Sequence, residues 1–339
     1  MKKVLLTITL AGGAALALLA SLCLGSVALA PGQVLSAIGA GLFGIAGADE
    51  VTVVIVWQLR LARTILAGIA GAALGSSGAV LQGLFRNPLA DPYSLGVSSG
   101  ASLGAVLAIA LGSKVGFAFP GSTEIAAFAG AIASSAIVYA VATSNRRAAP
   151  TAALLLSGAA VGSFLSAIVS LIVSLNDKDL HTVFFWMLGG FGGKGWADVA
   201  TAFPATLVAL AAAMLLARPL DVLGAGEESA GILGLNVGLL RALAVAIASL
   251  GAASAVAAGG VIGFVGLLGP HFARLIVGSL HKRLIPVSAA TGAILLMLAD
   301  AVARSAAAPL ELPVGIVTAL LGAPLFLKLL ATSREGRAL

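Results

Sequence analysis

The chain has 339 residues, of which 60% are hydrophobic and only 9% are charged. A soluble domain carries about 25% charged residues, so these proportions exclude an ordinary soluble enzyme and disfavour a disulfide scaffold or a nucleic-acid binder. The formal net charge of +6 identifies no partner, because Lys and Arg concentrate in the cytoplasmic loops of membrane proteins. The composition therefore predicts an all-α protein that crosses a membrane several times.

The N-terminal apolar run, residues 4–30, has two interpretations. Lys2 and Lys3 before it and the sequence Ala-Leu-Ala at residues 28–30 resemble a cleaved secretory signal. However, the run is much longer than the apolar region of about 7 to 15 residues in a signal peptide, and it can cross a bilayer. We therefore favour a retained first span over cleavage.

Apolar runs bounded by charges, proline or glycine clusters predict ten membrane-spanning helices. An even number places both termini on one side, and a cytoplasmic location puts most Lys and Arg residues inside, as the positive-inside rule requires. Only Gly259 and Gly260 separate the seventh span from the eighth. The predicted spans cover residues 4–29, 60–85, 93–112, 124–143, 151–175, 198–217, 241–259, 261–278, 285–304 and 313–330.

Small residues at four-residue spacing predict where these helices touch. Gly71 and Gly75 form one such pair, and Gly96, Gly100 and Gly104 form a row. In lipid, helices associate where small side chains let their backbones approach closely. We expect the span that carries three glycines to lie between neighbouring helices.

The spans carry few groups that could do chemistry. Proton-coupled carriers generally place Asp, Glu or His near the bilayer midplane, and these spans do not. Asp300 and Arg304 lie one helical turn apart near an outer end, where such a pair can partly neutralise its own charge. The lone His271 is a poor metal ligand. The glycine-rich run 189–194 lacks the two ends of the phosphate-loop pattern, since Leu188 stands where the pattern needs Gly and Gly195 where it needs Ser or Thr. We therefore expect no catalytic residue, metal site, cofactor or ATP site in this chain.

Three stretches carry a family resemblance. Residues 58–104 contain an Arg-x-x-Arg pair, then RNPLADP and GVSSGA; residues 259–283 read GGVIGFVGLLGPHFARLIVGSLHKR, and residues 299–326 read ADAVARSAAAPLELPVGIVTALLGAPLF. Together they closely resemble the permease family of ATP-driven importers for iron complexes, haem and cobalamin. The resemblance covers about residues 31–330 and implies the ten-helix type II ABC importer permease fold, with residues 1–339 as a single transmembrane domain.

The resemblance implies a transporter subunit of the bacterial inner membrane and not an enzyme. Family members form a homodimer with the transport path between the subunits, above two copies of a separate cytoplasmic ATPase. A periplasmic or lipid-anchored binding protein delivers the cargo. The implied cargo is a ferric siderophore or haem, with cobalamin as the alternative; an ion-coupled secondary carrier is a more remote alternative.

The resemblance also identifies the cytoplasmic loop 218–240 as the coupling element that fits a groove on the ATPase. A short helix is expected near residues 227–233, and a helix held in a socket transmits the movement of one subunit to the next. A loop that is merely solvated is the alternative. The residues expected to touch the ATPase are Glu227 and Glu228, as hydrogen-bond acceptors, and Leu233, Gly234 and Leu235, as apolar surface.

Three arginines gain a role from the same resemblance. Similar permeases use outward arginines at the positions of Arg60, Arg63 and Arg304 to meet acidic residues of the binding protein, and a guanidinium suits this because it can hold a carboxylate with two hydrogen bonds. The alternatives are contact with lipid headgroups and, for Arg304, pairing with Asp300. Glu in place of Arg60 and Arg63 is expected to weaken docking in a salt-dependent way and leave expression intact.

The RNPLADP turn lies at the cytoplasmic end, where Pro88 and Pro92 prevent the helix from continuing. The resemblance makes Asn87 and Leu89 candidates for an inner gate, with Thr151 at the start of the fifth span. A plain loop-capping role for Asn87 is the alternative.

The outer segment 176–197 is rich in aromatic residues. Aromatic side chains at the membrane surface usually anchor a protein to the interface. In the family this segment resembles a short helix beside the entrance, so a role in lining the entrance is the alternative. The residues concerned are Phe184, Phe185, Trp186, Phe191 and Trp196.

Overall fold

The computed structural model describes residues 2–44, 49–115, 119–144 and 150–335, and in these ranges all regular structure is helical. Helices suit a chain in lipid because each one satisfies its own backbone hydrogen bonds. The described residues form fourteen α-helices: α1 (Lys2–Cys23), α2 (Pro31–Phe43), α3 (Glu50–Phe85), α4 (Val97–Val115), α5 (Ser122–Ser144), α6 (Pro150–Ser174), α7 (Leu180–Leu188), α8 (Trp196–Leu215), α9 (Ala217–Gly224), α10 (Glu227–Ile232), α11 (Val237–Gly259), α12 (Val265–Val277), α13 (His281–Ser305) and α14 (Val314–Glu335).

Each of the ten predicted spans overlaps one of these helices. Six helices are long and apolar enough to cross a bilayer, namely α3, α5, α6, α8, α11 and α13. The remaining predicted spans correspond to α1, α4, α12 and α14, whose apolar parts are shorter. The structure therefore has the all-helical character of a membrane protein, and the count of ten spans stays a prediction.

Two helices were not predicted from the sequence. Helix α2 begins with Pro31 in its first turn, where the missing N–H of proline is not needed. The side chain of Gln33 accepts a hydrogen bond from the backbone N–H of Ala30 (2.8 Å), and the helix ends at Gly44 in the left-handed conformation. Helix α9 follows α8 directly, after Leu216.

The long helix α3 lies at the centre of the bundle and packs against α8, α11, α12 and α13. Its contact with α13 depends on glycine. A Cβ at Gly71 would overlap the backbone oxygen of Gly292, and a Cβ at Gly75 would overlap that of Ser288. The predicted role of Gly71 and Gly75 in helix contact is confirmed, and the two backbones touch without intervening side chains.

The glycine row of α4 packs against α5. A Cβ at Gly100 would overlap the backbone oxygen of Gly130, and one at Gly104 would overlap that of Ala126. Gly96 differs from the prediction, because it precedes α4 and has a positive φ of 76°. It closes the 3₁₀ turn Pro92–Leu95, which a side chain would strain.

Candidate functional site

A buried cluster of ion pairs joins α3 to α13 at the end of the bundle that the distribution of Lys and Arg predicts to face outward. This end is called the outer end, and the opposite end is called the inner end. The Nε and Nη2 atoms of Arg63 donate to Oδ1 of Asp300 at 3.0 and 2.9 Å. Asp300 is fully buried, and the Nε atom of Arg304 lies 3.0 Å from its Oδ2 atom. The predicted pairing of Asp300 with Arg304 is confirmed, and one carboxylate stands between two guanidinium groups.

The same cluster holds the end of α1. The Nη2 atom of Arg304 donates to the backbone oxygen of Ser21 (2.9 Å), and Nη1 of Arg60 donates to that of Leu22 (2.7 Å); Arg60 also bonds the backbone oxygen of Val27. The last carbonyl oxygens of a helix find no N–H donor within the helix, and they form its negative end. The two arginines therefore cap α1.

A π-helical turn, Ile55–Leu61, precedes Arg63 in α3 and contains Arg60. Such turns are rare and often occur at functional sites, because the extra residue changes where the following side chains point. Here the turn brings Arg60 to α1 while Arg63 reaches α13.

Arg60, Arg63 and Arg304 are buried and form hydrogen bonds or ion pairs within the chain, whereas the resemblance suggested that they point outward. Arg63 alone of the three borders the outer cavity described below. A glutamate at position 60 or 63 would place a carboxylate against helix-end carbonyls or against Asp300. The structure thus revises the expectation that charge reversal leaves expression intact, because buried like charges destabilise the fold. The docking role of Arg60, Arg63 and Arg304 stays a prediction.

An outer cavity of about 330 Å³ opens beside Arg63. Glu311 lies at its edge, where its Oε2 atom accepts a hydrogen bond from Nη1 of Arg63 (2.7 Å). The cavity combines charged, aromatic and glycine-rich walls, and its lining includes Arg63, Thr182, Phe185, Trp186, Gly189, Gly190, Phe191, Gly192, Lys194 and Glu311.

The glycine-rich residues 189–194 pack against the end of α11. The N–H of Gly190 donates to the backbone oxygen of Gly259 (2.7 Å), and the ring of Phe191 is fully buried beside Gly259. Phe191 was expected at the membrane surface with the other aromatic residues, and that expectation is wrong. Phe184 and Phe185 are exposed, as an anchoring role requires.

Lys194 ties two helix ends together beside the cavity. Its Nζ atom bonds the carboxylates of Glu124, in the first turn of α5, and Asp198, in the first turn of α8. Burial lowers the pKa of Lys194, but the hydrogen bonds and charges of Glu124 and Asp198 outweigh it and the pKa is raised. Lys194 therefore stays charged at neutral pH.

At the inner end, the RNPLADP turn starts at Arg86, whose φ of 49° ends α3. The Oδ1 atom of Asn87 accepts a hydrogen bond from the N–H of Leu89 (2.9 Å), which is the loop-capping arrangement considered for Asn87. Asn87 is exposed, Leu89 is half-buried, and Thr151 lies in the first turn of α6. Their role as an inner gate stays a prediction.

Asp91 closes the same turn and was not singled out from the sequence. Its Oδ1 atom accepts a hydrogen bond from the N–H of Tyr93 (2.8 Å). Burial raises the pKa of Asp91 to about 6, and the bond from Tyr93 only partly opposes this. The carboxyl group is therefore neutral in mildly acidic conditions.

Residues 218–240, called the coupling loop after the role that the resemblance predicts for them, include most of α9 and all of α10, and α10 coincides with the short helix predicted near residues 227–233. Leu235 N–H bonds the backbone oxygen of Ala230 (3.0 Å) around Gly234, whose φ is 82°, and this ends α10 in a Schellman motif. The motif leaves Leu233 exposed and turns Leu235 against the core. Beside it, Ile232 is also exposed.

The two glutamates of the coupling loop differ. Glu228 is exposed at the start of α10. Glu227 is exposed too, but its Oε1 atom accepts a hydrogen bond from Nη2 of Arg241 (2.9 Å) in α11. Arg241 therefore engages one carboxylate oxygen of Glu227, whereas Glu228 presents its carboxylate to the surroundings at the start of α10.

The part of the chain that the structure describes offers no group of three or more His, Cys, Asp or Glu side chains arranged for a metal ion. His271 faces the ring of Phe272, with 5.8 Å between ring centres, and Cys23 is a free thiol. These residues provide no ligand set.

Comparisons with known proteins agree with this architecture. The model of the FecCD transport family matches residues 13–332. The chain is 49% identical to the cobalamin import system permease protein BtuC of Halobacterium salinarum, over 86% of this chain and 77% of that protein. It is 42% identical to the Fe(3+)-citrate import system permease protein YfmD of Bacillus subtilis, over 84% of this chain and 83% of that protein. A solved structure of a metal-chelate type ABC transporter in an inward-facing conformation matches with a TM-score of 0.83 and 31% identity, covering 96% of this chain and 98% of that chain.

Proposed function

Because the chain belongs to the FecCD transport family, we propose that it is the transmembrane permease subunit of an ABC importer for a metal chelate. The observation that carries this proposal is the family match over nearly the whole chain. The exposed apolar end of α10 supports it, since an exposed apolar surface is typical of a site where another protein docks, and an ABC importer permease docks on an ATPase.

For the cargo we propose an iron complex, such as a ferric siderophore or haem, with cobalamin as the second candidate. The names of the relatives support both, because one imports Fe(3+)-citrate and another imports cobalamin. Cobalamin is itself a chelate of a metal ion, so the two candidates share a large, rigid cargo. The small and apolar residues that dominate the chain suit a path that binds cargo weakly and releases it.

We propose that the importer contains two copies of this chain, two cytoplasmic ATPase subunits and a periplasmic or lipid-anchored binding protein. We place it in the bacterial inner membrane with ten spans and both termini in the cytoplasm, as the distribution of Lys and Arg favours. The ATPase would contact Glu227, Glu228, Leu233, Gly234 and Leu235, of which Leu233 offers the exposed apolar surface.

For binding-protein docking we propose that Arg60, Arg63 and Arg304 have different roles. Arg63 would meet a carboxylate of the binding protein, because its Nη1 atom points to the half-exposed Glu311 at the cavity edge. Arg60 and Arg304 would support it by holding the end of α1.

For the inner gate we propose Asn87 and Leu89 of the RNPLADP turn, together with Thr151 of α6. The turn supports this role because it leaves α3, the central helix, at the inner end and places Asn87 in an exposed position.

Reconstitution in proteoliposomes tests the proposal. The chain with its ATPase and binding protein should accumulate cargo only when ATP is supplied on the ATPase side, and the chain alone should accumulate none. Parallel assays with haem, cobalamin and ferric chelates identify the cargo. Accumulation by the isolated chain, driven by a proton or sodium gradient, would instead establish a secondary carrier.

A further inference from the structure

Asp221 of α9 and His281 at the start of α13 form a double hydrogen bond at the inner end of the bundle. The Oδ1 atom of Asp221 accepts from the backbone N–H of His281 (2.9 Å) and lies 2.6 Å from its ring Nδ1. Because a carboxylate only accepts, Nδ1 is the donor. The first N–H groups of a helix lack acceptors within it and attract negative charge, so Asp221 caps α13 from the coupling loop.

The ring of His281 also touches the last turn of α3. The residue is only 8% exposed, and its Nε2 atom is buried without a hydrogen-bond partner in the described structure. It lies against Gly83, where a Cβ would overlap it. The RNPLADP turn, called the gate turn below, begins three residues after Gly83. The N–H of Asn87 in this turn donates to the backbone oxygen of Gln82 (3.1 Å). His281 therefore joins three parts of the chain: α9, α13 and the last turn of α3, which leads into the gate turn.

The surrounding contacts favour transmission of movement through this junction. Leu220 and Leu223 bury one face of α9, while the adjoining α10 presents Ile232 to a partner. Helix α9 packs against α3 and α13, and the two hydrogen bonds to one carboxylate oxygen of Asp221 fix its position relative to the start of α13. Further along, α13 and α3 touch backbone to backbone at Gly75, so they shift together.

We propose that Asp221 and His281 are positioning residues that couple movement of the coupling loop to the inner gate turn. The proposal rests on the proposed function, since it assumes an ATPase that moves the loop. When α10 is displaced, Asp221 carries the start of α13 with it, and the His281 ring moves the last turn of α3. Asn87 and the gate turn follow.

The test uses the full importer in proteoliposomes, with ATP hydrolysis and cargo uptake measured in the same vesicles. Asp221→Ala removes both hydrogen bonds and should lower the cargo transported per ATP by about five- to tenfold, within the usual range of coupling between sites. ATP hydrolysis should continue. Asp221→Asn keeps an acceptor oxygen and should restore most of the ratio. Lys282→Gln, at the exposed neighbouring position, is the matched control and should behave as the wild type.

A structural role alone predicts a different result, in which hydrolysis and uptake fall in parallel with the amount of assembled complex and the ratio stays constant; that result would overturn the proposal. His281→Asn provides a second test if Asp221→Ala does not assemble. It retains a side-chain donor but removes the ring from Gly83, and it should also lower the ratio. A wild-type importer that shows no ATP-driven uptake would contradict the proposed function, separately from these ratios.

Discussion

The two ends of the bundle differ in where one charged cluster and one apolar surface lie. At the outer end the charges are inside, where Asp300 is fully buried between Arg63 and Arg304. At the inner end apolar side chains are outside, with Ile232 82% exposed and Leu233 72% exposed. The first arrangement satisfies itself within the chain, and the second is complete only when another surface covers it.

This difference indicates two kinds of partner. Lasting interfaces bury apolar surface, whereas transient ones depend more on charge and form quickly. The inner surface therefore suits an ATPase that stays bound. The outer cluster suits a binding protein that binds transiently, because any carboxylate of the binding protein must compete with Glu311 for Arg63.

The largest effect is expected from removing the central charge of the outer cluster. Asp300→Ala leaves Arg63 and Arg304 buried without their shared carboxylate, which should cost about 3–5 kcal/mol of stability. The thermal stability of the detergent-solubilised protein, followed by size-exclusion chromatography after heating, measures the loss. Glu50→Ala removes an exposed carboxylate at the same end and should have little effect. Unchanged stability of Asp300→Ala would show that the cluster does not hold the outer end together.

A smaller effect is expected from the inner surface. Leu233→Ser should weaken binding of the ATPase about tenfold, as for a central apolar contact of an interface, and should leave the stability of the isolated permease unchanged because the side chain is exposed. Binding of the labelled ATPase to permease in nanodiscs measures this. Leu310→Ser changes a leucine that is equally exposed at the outer end and should not affect binding. Equal losses in both variants would place the interface elsewhere.

Much of the fold follows from the sequence because each predicted span is an apolar run that overlaps a helix, and six of these helices are long and apolar enough to cross a bilayer. Helix α2 escaped prediction since Pro31 and Gly32 are typical of a boundary and its 13 residues are too few to cross a bilayer. The short helix α10 was predicted from the sequence of residues 218–240, and the family resemblance added only the coupling role.

The candidate site was less predictable. The pair Asp300 and Arg304 is local, and helical spacing reveals it. Arg63 and Asp300 are 237 residues apart, and Asp221 and His281 are 60 apart, so no local pattern connects them. Phe191 was misplaced because burial of a loop residue depends on a neighbour, Gly259, from another helix.

The smallest effect is expected from Glu311, whose replacement tests whether Arg63 exchanges Glu311 for a carboxylate of the binding protein. Glu311 is 44% exposed and occupies the outward Nη1 atom of Arg63. Glu311→Gln keeps the shape and removes the competing charge, so binding-protein association should tighten by about two- to fivefold at low salt, the range of a partly exposed ion pair. The gain should shrink as salt screens the charges.

Titration of the binding protein against permease in nanodiscs at two salt concentrations measures this gain. Glu50→Gln is the matched control, since it removes one exposed carboxylate at the start of α3, at the same end of the bundle as Glu311. Equal tightening in both variants would reflect net charge alone. Weaker association of Glu311→Gln would mean that Glu311 itself meets the binding protein, and then the outer end, like the inner end, would present a free surface for its partner.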